Sequence, residues 1–159
     1  MTIDASAAFM GRLSLVLLFL PFSALDKLIN FNGAIGQASQ AVASRRAAIV
    51  LVICGLLVEV VMSAGVLTGT SDRAAAFVLA GYCGVTALLW KQFWRQPDFS
   101  LRGPSKSREV FWDFLKNFAV AGGFLAVAWS GPSTAGFRAF LDAPFASTHP
   151  YAAQPSPVR

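Results

Sequence analysis

The sequence predicts an all-α protein, a four-helix transmembrane bundle with a short amphipathic or disordered C-terminal tail. The first observation is composition: of 159 residues, 55% are hydrophobic and 13% are charged, whereas soluble domains carry roughly a quarter charged residues. The second is a set of four apolar stretches, each close to the length of about 20 residues that a membrane-spanning helix needs. The third is the unequal length of the loops between them, which excludes a closed β-barrel and leaves helices as the spanning structure.

The four predicted spans cover residues 9–28, 47–68, 74–94 and 110–131. A tight turn at 69–72 joins the second span to the third, and a longer basic loop joins the third to the fourth. The first stretch is not typical of a cleaved signal peptide, because Asp4 precedes it where a signal peptide carries positive charge, and no small-residue cleavage site follows it. We therefore predict a membrane domain over 1–131 and a tail over 132–159.

The tail differs in pattern from the spans. Its apolar residues recur at spacings of three and four: Phe137, Phe140, Leu141 and Phe145. This pattern predicts a short amphipathic segment that lies on the membrane or on a partner protein, and a frayed tail with a few aromatic residues is the alternative. Pro150, Pro155 and Pro157 predict disorder in the last residues.

Positive charge is distributed unevenly along the chain. The net charge is +5 at pH 7, but the basic residues flank apolar runs, so they favour contact with anionic lipid headgroups over nucleic acid. Most of them lie in or beside the first and third loops: Arg45, Arg46, Lys91, Arg95, Arg102, Lys106 and Arg108. The positive-inside rule then places these two loops in the cytoplasm and both termini outside. We expect a multi-pass protein of the bacterial inner membrane.

A carboxylate lies in the middle of the second predicted span. Glu59 is 12 residues into this span, and a lone carboxylate at that depth costs at least about 2.5–3.5 kcal/mol. We expect it to face the bundle and to pair with a cation or be protonated. Lysines enter from the same side, so the sequence predicts an intramembrane cluster that binds a ligand or carries protons: Lys27, Glu59, Lys116 and Asn117, with Asp26 and Asp113 nearby. The alternatives are an ion pair that only fixes helix register and, for the lysines, snorkelling to the interface.

Arg12 and Arg73 supply a second polar layer in the predicted bundle. Arg12 and Lys27 are 15 residues apart, which is about 22 Å along a helix, whereas the hydrocarbon core of a bilayer is about 30 Å thick. At least one of these two charges must therefore snorkel, thin the bilayer or face a protein interior.

Aromatic residues gather near the third loop, among them Trp90, Trp94 and Trp112. An interfacial aromatic belt explains them, and the alternative is a flat slot for a quinone headgroup. We expect no metal site, since the single histidine, His149, lies in the tail and both cysteines lie inside apolar runs. No intrinsic cofactor is expected, and a quinone or a bound lipid is the ligand to consider.

Four blocks of this sequence resemble the DoxX family of small four-helix membrane proteins. The blocks are Arg12 with Leu25-Asp26-Lys27-Leu28, Glu59 with Gly65, Leu67, Gly69, Asp72, Arg73 and Ala75, the octapeptide 87–94, and Phe114-Leu115-Lys116-Asn117 with Ala121-Gly122-Gly123. The resemblance implies the four-helix fold and an association with quinone-linked redox enzymes. The family often carries a histidine where this sequence has Lys91, so a proton-transfer role of that histidine is not implied here. Family members often keep their termini in the cytoplasm, which conflicts with the charge count.

Three functions follow as hypotheses. The first is an accessory or structural subunit, not catalytic on its own, of a larger quinone-linked respiratory or redox complex, with the lipid bilayer and other membrane subunits as partners. The alternative is a quinone-binding oxidoreductase component that uses the buried Lys/Glu cluster to bind the headgroup and relay protons. The third is a small transporter with Glu59 as a midplane site, which the small number of spans and the lack of a broken-helix repeat disfavour.

Overall fold

A computed structural model of the chain describes residues 3–131 and 136–152, and all regular structure in these ranges is helical. The helices are α1 (Ile3–Val16), a π-helical segment (Leu18–Ser23), α2 (Ala24–Ile29), α3 (Phe31–Ala38), α4 (Arg45–Thr68), α5 (Asp72–Trp90), a short 3-10 helix (Phe93–Arg95), α6 (Lys106–Ala128) and α7 (Phe137–Asp142). The prediction of an all-α protein is confirmed.

Within the described residues, four helical stretches are long and apolar enough to cross a membrane: Ile3–Ile29, Arg45–Thr68, Asp72–Arg95 and Lys106–Ala128. Each overlaps one of the spans that the sequence predicts. Large apolar side chains face outward along these stretches; Leu57, for example, is 57% exposed and Leu88 is 50% exposed. An apolar surface of this extent suits contact with lipid. The chain therefore has the architecture of a multi-pass membrane protein.

The first span is not the continuous helix that the sequence predicts over 9–28. At Leu20 the backbone is extended (φ −120°, ψ 105°), and a π-helical segment separates α1 from α2. The cause is Pro21, which has no N–H to donate to the carbonyl of Leu17 and whose ring would clash with that carbonyl in an α-helix. The break leaves two helical pieces, and the second, α2, packs against both α3 and α4.

The spans are arranged in a ring, and the first span and α6 contact each other over a short stretch. Helix α5 packs against α4 on one side and against α6 on the other, and the first span contacts both α4 and α6. The contact between α1 and α6 is close at Gly123, where a Cβ atom would lie 2.6 Å from Cδ2 of Leu15. A residue without a side chain at this position lets the two helices approach each other. Helix α4 ends at Thr68, and Gly69, which follows it, has a left-handed φ of 76°.

Packing differs between the two ends of the bundle. The half nearer Gly69 holds the main apolar core, in which Val16, Val66, Leu79 and Phe124 are fully buried. At the opposite end, a smaller cluster joins α3 to the start of α4: Ile35, Ala38, Ala48 and Val52. Helix α3 lies in the first loop, where the sequence analysis had placed no helix. It brings a further element to that end of the bundle.

The described part of the tail packs on the bundle. The predicted amphipathic segment forms α7, where Phe140 is 8% exposed and its ring centroid lies 4.8 Å from that of Phe77 on α5. Pro150 falls in the segment predicted to be disordered, but its ring lies against Gly69, where a Cβ atom would be 3.0 Å away. The Tyr151 hydroxyl donates a hydrogen bond to the carbonyl of Leu67. Residues 155 and 157 lie outside the described residues.

Candidate functional site

A cavity of about 830 Å³ lies in the half of the bundle that carries the first and third loops. All four spans and α3 line it, and its walls are mostly apolar: Leu18, Phe19, Val52, Val58, Val85, Leu89 and Val120. Ligand sites typically enclose about 300–1,000 Å³ and combine apolar walls with a few placed polar groups. The cavity has the size and the lining of such a site.

Polar side chains meet in the cavity wall around Glu59. This residue is 1% exposed and lies near the middle of its span, about 21 Å along α4 from its first residue at 1.5 Å per residue. Its Oε1 accepts hydrogen bonds from Lys27 Nζ (2.7 Å), Tyr82 OH (2.9 Å) and Ser23 Oγ (3.0 Å). We call Ser23, Lys27, Glu59 and Tyr82 the floor cluster. Its charge-assisted bonds join the first span, α4 and α5.

Local sequence spacing positions the floor cluster. Ser23 and Lys27 are four residues apart across the junction of the π-helical segment and α2, which puts them on one helix face. Lys27 Nζ also donates to Ser23 Oγ at 2.7 Å. Gly55 lies one turn before Glu59 on α4, and a Cβ atom there would be 3.1 Å from the Tyr82 hydroxyl. Because Gly55 has no side chain, Tyr82 can reach the carboxylate.

The second carboxylate oxygen of Glu59 has a different environment. Oε2 is buried and has no hydrogen-bond partner among the described residues, and the same holds for Oγ of Ser63, one turn further along α4. Leaving a buried polar atom without a partner costs about 1–3 kcal/mol. Native folds keep few such atoms. Glu59 is therefore costly to the fold, which suggests a role beyond packing.

Lys27 is more accessible from the cavity than Glu59, the other charged residue of the floor cluster. Its side chain is 20% exposed, compared with 2% for Glu59. A lysine ammonium carries three N–H donors, and contacts within the described chain use one of them on Glu59 and one on Ser23. One N–H of Lys27 is therefore left for an acceptor in the cavity.

Lys116 and Asn117 line the same cavity but lie outside the floor cluster. Lys116 Nζ is 3.3 Å from Asp113 Oδ1, and Asn117 donates to the Asp113 carbonyl at 3.1 Å. Asp113 also pairs with Lys91 at 3.1 Å. The predicted association of Lys116 with Glu59 does not form. Asp113 lies one helical turn before Lys116 and forms an ion pair with its ammonium group instead. With 74% of its side chain exposed, Lys116 lies at the mouth of the cavity.

The three tryptophans suggested for a quinone slot are separated in the structure. Trp90 lies on the cavity wall, where its indole N–H donates to the carbonyl of Gln37 on α3 at 3.0 Å. Trp94 packs edge-on against Phe114, with ring centroids 5.6 Å apart, and is 49% exposed. Trp112 is 47% exposed and lies beside a shallow groove near the third loop. A flat slot built from all three does not form, and aliphatic side chains supply most of the wall.

The predicted second polar layer lies away from the cavity, at the other end of the bundle. Arg12 forms a buried salt bridge with Asp72 at 2.7 Å, and it donates to Thr148 Oγ1 and to the Val66 carbonyl, each at 2.7 Å. Asp72 in turn accepts from the backbone N–H of Thr148 at 2.8 Å. We call Arg12, Asp72 and Thr148 the tail cluster, because it binds the tail to α1, α4 and α5.

Arg73 also contacts the C-terminal part of the chain. Its guanidinium donates to the carbonyls of Ser130, just after α6, and of Ala139 in α7, at 3.1 Å and 2.9 Å. Both arginines of the predicted layer therefore hold the tail on the bundle. The sequence analysis did not identify Asp72 as the partner of Arg12, although an acidic residue at the start of an apolar span was a visible sign.

In residues 3–131 and 136–152, no group of three or more His, Cys, Asp or Glu side chains is placed to hold a metal ion. Cys54 lines the cavity, and Cys83 is buried in the main core. Compared with protein-family models, with curated proteins and with solved structures, the chain matches none of them.

Proposed function

We propose that this protein is a DoxX-like membrane protein that binds a quinone in its cavity, as a component of a larger quinone-linked redox complex. The observation that carries the proposal is the floor cluster, a lysine ammonium ion-paired to a buried carboxylate in an apolar cavity between the spans. Of the three functions considered from the sequence, the quinone-binding role therefore takes precedence over a purely accessory one.

The residues of the cavity fit a quinone headgroup. A quinone carbonyl accepts hydrogen bonds but cannot donate them, and Lys27 offers an N–H that its described contacts leave over. Ser23 and Tyr82 hold Glu59 in place, and the carboxylate in turn orients the Lys27 ammonium. A bound quinone would supply the electron-transfer chemistry, while Lys27 would donate to its carbonyl and Glu59 would keep the ammonium oriented.

The apolar walls serve the same ligand. The ring of a quinone is flat and apolar, and valine and leucine side chains from α4 and α5 line the cavity around the floor cluster. Burial of apolar area contributes about 25 cal/mol per Å², so the walls would supply binding energy and the polar groups would fix the orientation. The volume of about 830 Å³ leaves room for more than a single ring.

A second candidate role is that of an accessory subunit that docks to a redox partner through its third loop. Basic residues concentrate there, with one acidic residue among residues 95–108: Arg95, Arg102, Lys106 and Arg108, with Asp98. Trp94 and Trp112 lie beside this loop and are each about half exposed. Arginine and tryptophan are enriched at protein interfaces. The two roles are compatible, because the cavity and the third loop use different surfaces.

Purification from the native membrane in mild detergent, followed by mass spectrometry of the co-eluting proteins and small molecules, tests both roles. The proposal expects quinone in the purified sample, and less of it with Lys27→Met. A sample that holds no quinone and takes up none when it is added would contradict the proposal. A stoichiometric redox partner without quinone on this chain would favour the accessory role alone.

A further inference from the structure

We propose that the quinone carries an isoprenoid chain and that this chain passes into the bilayer through a lateral opening between the first span and α6. The inference rests on the proposed function, and it adds the class of quinone and its route of entry. Four features of the structure support it: the separation of two spans, the exposure of α6, the depth of the opening and the charge of the cavity mouth.

The first span and α6 meet in the middle of the bundle and then part. Leu15 lies against Gly123, and the ring centroids of Phe19 and Phe124 are 5.8 Å apart. Toward the loops, the cavity lies between these two spans, which line it from opposite sides: Leu18, Ser23 and Lys27 on the first span, and Lys116, Asn117 and Val120 on α6. The cavity therefore occupies the place of a helix–helix contact.

The exposure of α6 shows where this contact is missing. Ser107 and Ala121 are buried, whereas residues 108–120, all of which the structure describes, include no buried residue. In the most apolar stretch of α6, 11% of the residues are buried, compared with 33% in the third span. Helix α6 packs against α5, and its residues in this range that line the cavity, among them Asn117 and Val120, are not buried by the first span.

The opening lies at the depth of the hydrocarbon core. Val120 is 14 residues from the start of α6, about 21 Å along the helix, in a bilayer core about 30 Å thick. Leu18, on the facing span, is 54% exposed. Both side chains are apolar and both line the cavity. An isoprenoid chain at this level would pass from one apolar environment, the cavity wall, directly into another, the lipid.

The other exit from the cavity is unsuited to such a chain. Asp113, Lys91 and Lys116 form linked ion pairs at the mouth. An apolar chain there would cover charged groups without replacing their contacts with water, which costs free energy. A ligand with its ring at Lys27 therefore has one favourable direction for its chain, the apolar opening beside Leu18 and Val120.

Two probes test this inference on the full-length protein in phospholipid nanodiscs: menadione, which is a naphthoquinone ring without a chain, and its geranylated analogue. Wild type is expected to bind both. Val120→Trp should fill the opening, so that affinity for the geranylated probe falls at least about tenfold while affinity for menadione changes by less than about twofold.

Leu18→Trp blocks the opening from the facing span and should have the same selective effect, which keeps the test valid if one variant does not fold. Leu115→Trp is the control, because Leu115 lies on α6, is 40% exposed and is outside the cavity lining; neither affinity should change. Equal losses for both probes in the two blocking variants, unchanged binding of the geranylated probe, or phospholipid acyl chains in its place would each overturn the lateral opening. A wild-type protein that binds neither probe would instead overturn the proposed function.

Discussion

The ammonium nitrogen of Lys27 lies 2.7 Å from Oε1 of Glu59, so an ion pair inside the bundle ties the first span to the middle of α4. The side chains are 20% and 2% exposed. A buried ion pair contributes little net stability compared with well-packed apolar residues, but removal of one partner leaves the other charge without compensation. We therefore expect substitution of one partner alone to lower the free energy of unfolding more than substitution of both partners together.

Lys27→Met should lower the free energy of unfolding by about 3–5 kcal/mol, because it leaves the Glu59 carboxylate buried without its cation. Glu59→Gln should lower the free energy of unfolding by less, because the Lys27 side chain can extend toward the mouth of the cavity and keep its ammonium group hydrated. Denaturant-induced unfolding in detergent micelles measures both values.

The double variant Lys27→Met/Glu59→Gln should be more stable than Lys27→Met alone, because no buried charge remains. Lys91→Met is a matched control: its pair with Asp113 is 34% and 43% exposed on the two side chains, and loss of such a pair should cost less than about 1 kcal/mol. Additive losses in the double variant would show that Lys27 and Glu59 are not coupled.

Gly33→Phe should block ligand binding in the cavity. Gly33 lies on α3, lines the cavity and has no atom within 4 Å of the place where a Cβ would be. A phenylalanine there can extend into the cavity without disturbing the packing of α3 against α4. Quinone affinity should therefore fall by about tenfold or more, with little change in the free energy of unfolding. Gly36→Phe is the control, because Gly36 has the same free space but does not line the cavity. Equal binding to both variants would place the ligand elsewhere.

Gly123→Ala should be less stable than Gly122→Ala by about 0.5–1.5 kcal/mol, because the added methyl group would overlap the end of the Leu15 side chain and force it out of its rotamer. A Cβ atom at Gly123 would lie 2.6 Å from Cδ2 of Leu15. Gly122→Ala is the neighbouring control, where nothing lies within 4 Å, and it should stabilise the helix by up to about 1 kcal/mol. Thermal unfolding in detergent compares the two. In a Leu15→Ala background the two glycine substitutions should have equal effects, and two glycine variants of equal stability in the wild-type background would contradict the close contact.

The spans were predictable from the sequence because lipid demands long apolar helices, and hydropathy measures this demand directly. The break in the first span was not predicted, although Pro21 was visible, because spanning helices tolerate proline when neighbours satisfy the freed backbone groups. The docking of the tail was beyond prediction from local pattern. It depends on contacts of Thr148 with Arg12 and Asp72, which are far apart in sequence.

The ion pair of the site was predictable from the sequence, because a buried charge is costly without a partner. A carboxylate at the depth of Glu59 needs a partner, and the structure places Lys27 beside it. Ser23 and Tyr82 escaped notice because hydroxyl groups are common in spans and their partners depend on the break in the first span and on the packing of α5. The depth of Lys116 predicts a place beside Glu59, with Asp113 nearby, whereas in the structure Asp113, one turn away, is the partner of Lys116.

Ionisation of Tyr151 should weaken the docking of the tail at alkaline pH. Burial raises the pKa of its phenol above the ordinary value, which is about 10, and the protonated hydroxyl donates to the Leu67 carbonyl. Since the docked state has the higher pKa, its stabilisation is complete below about pH 10 and is lost as the pH rises through the raised pKa. The chain has two tyrosines, so the difference in tyrosinate absorbance between wild type and Tyr151→Phe isolates this group. A midpoint at or below about pH 10 would contradict the docked position, and the stability of Tyr151→Phe should lack this alkaline loss.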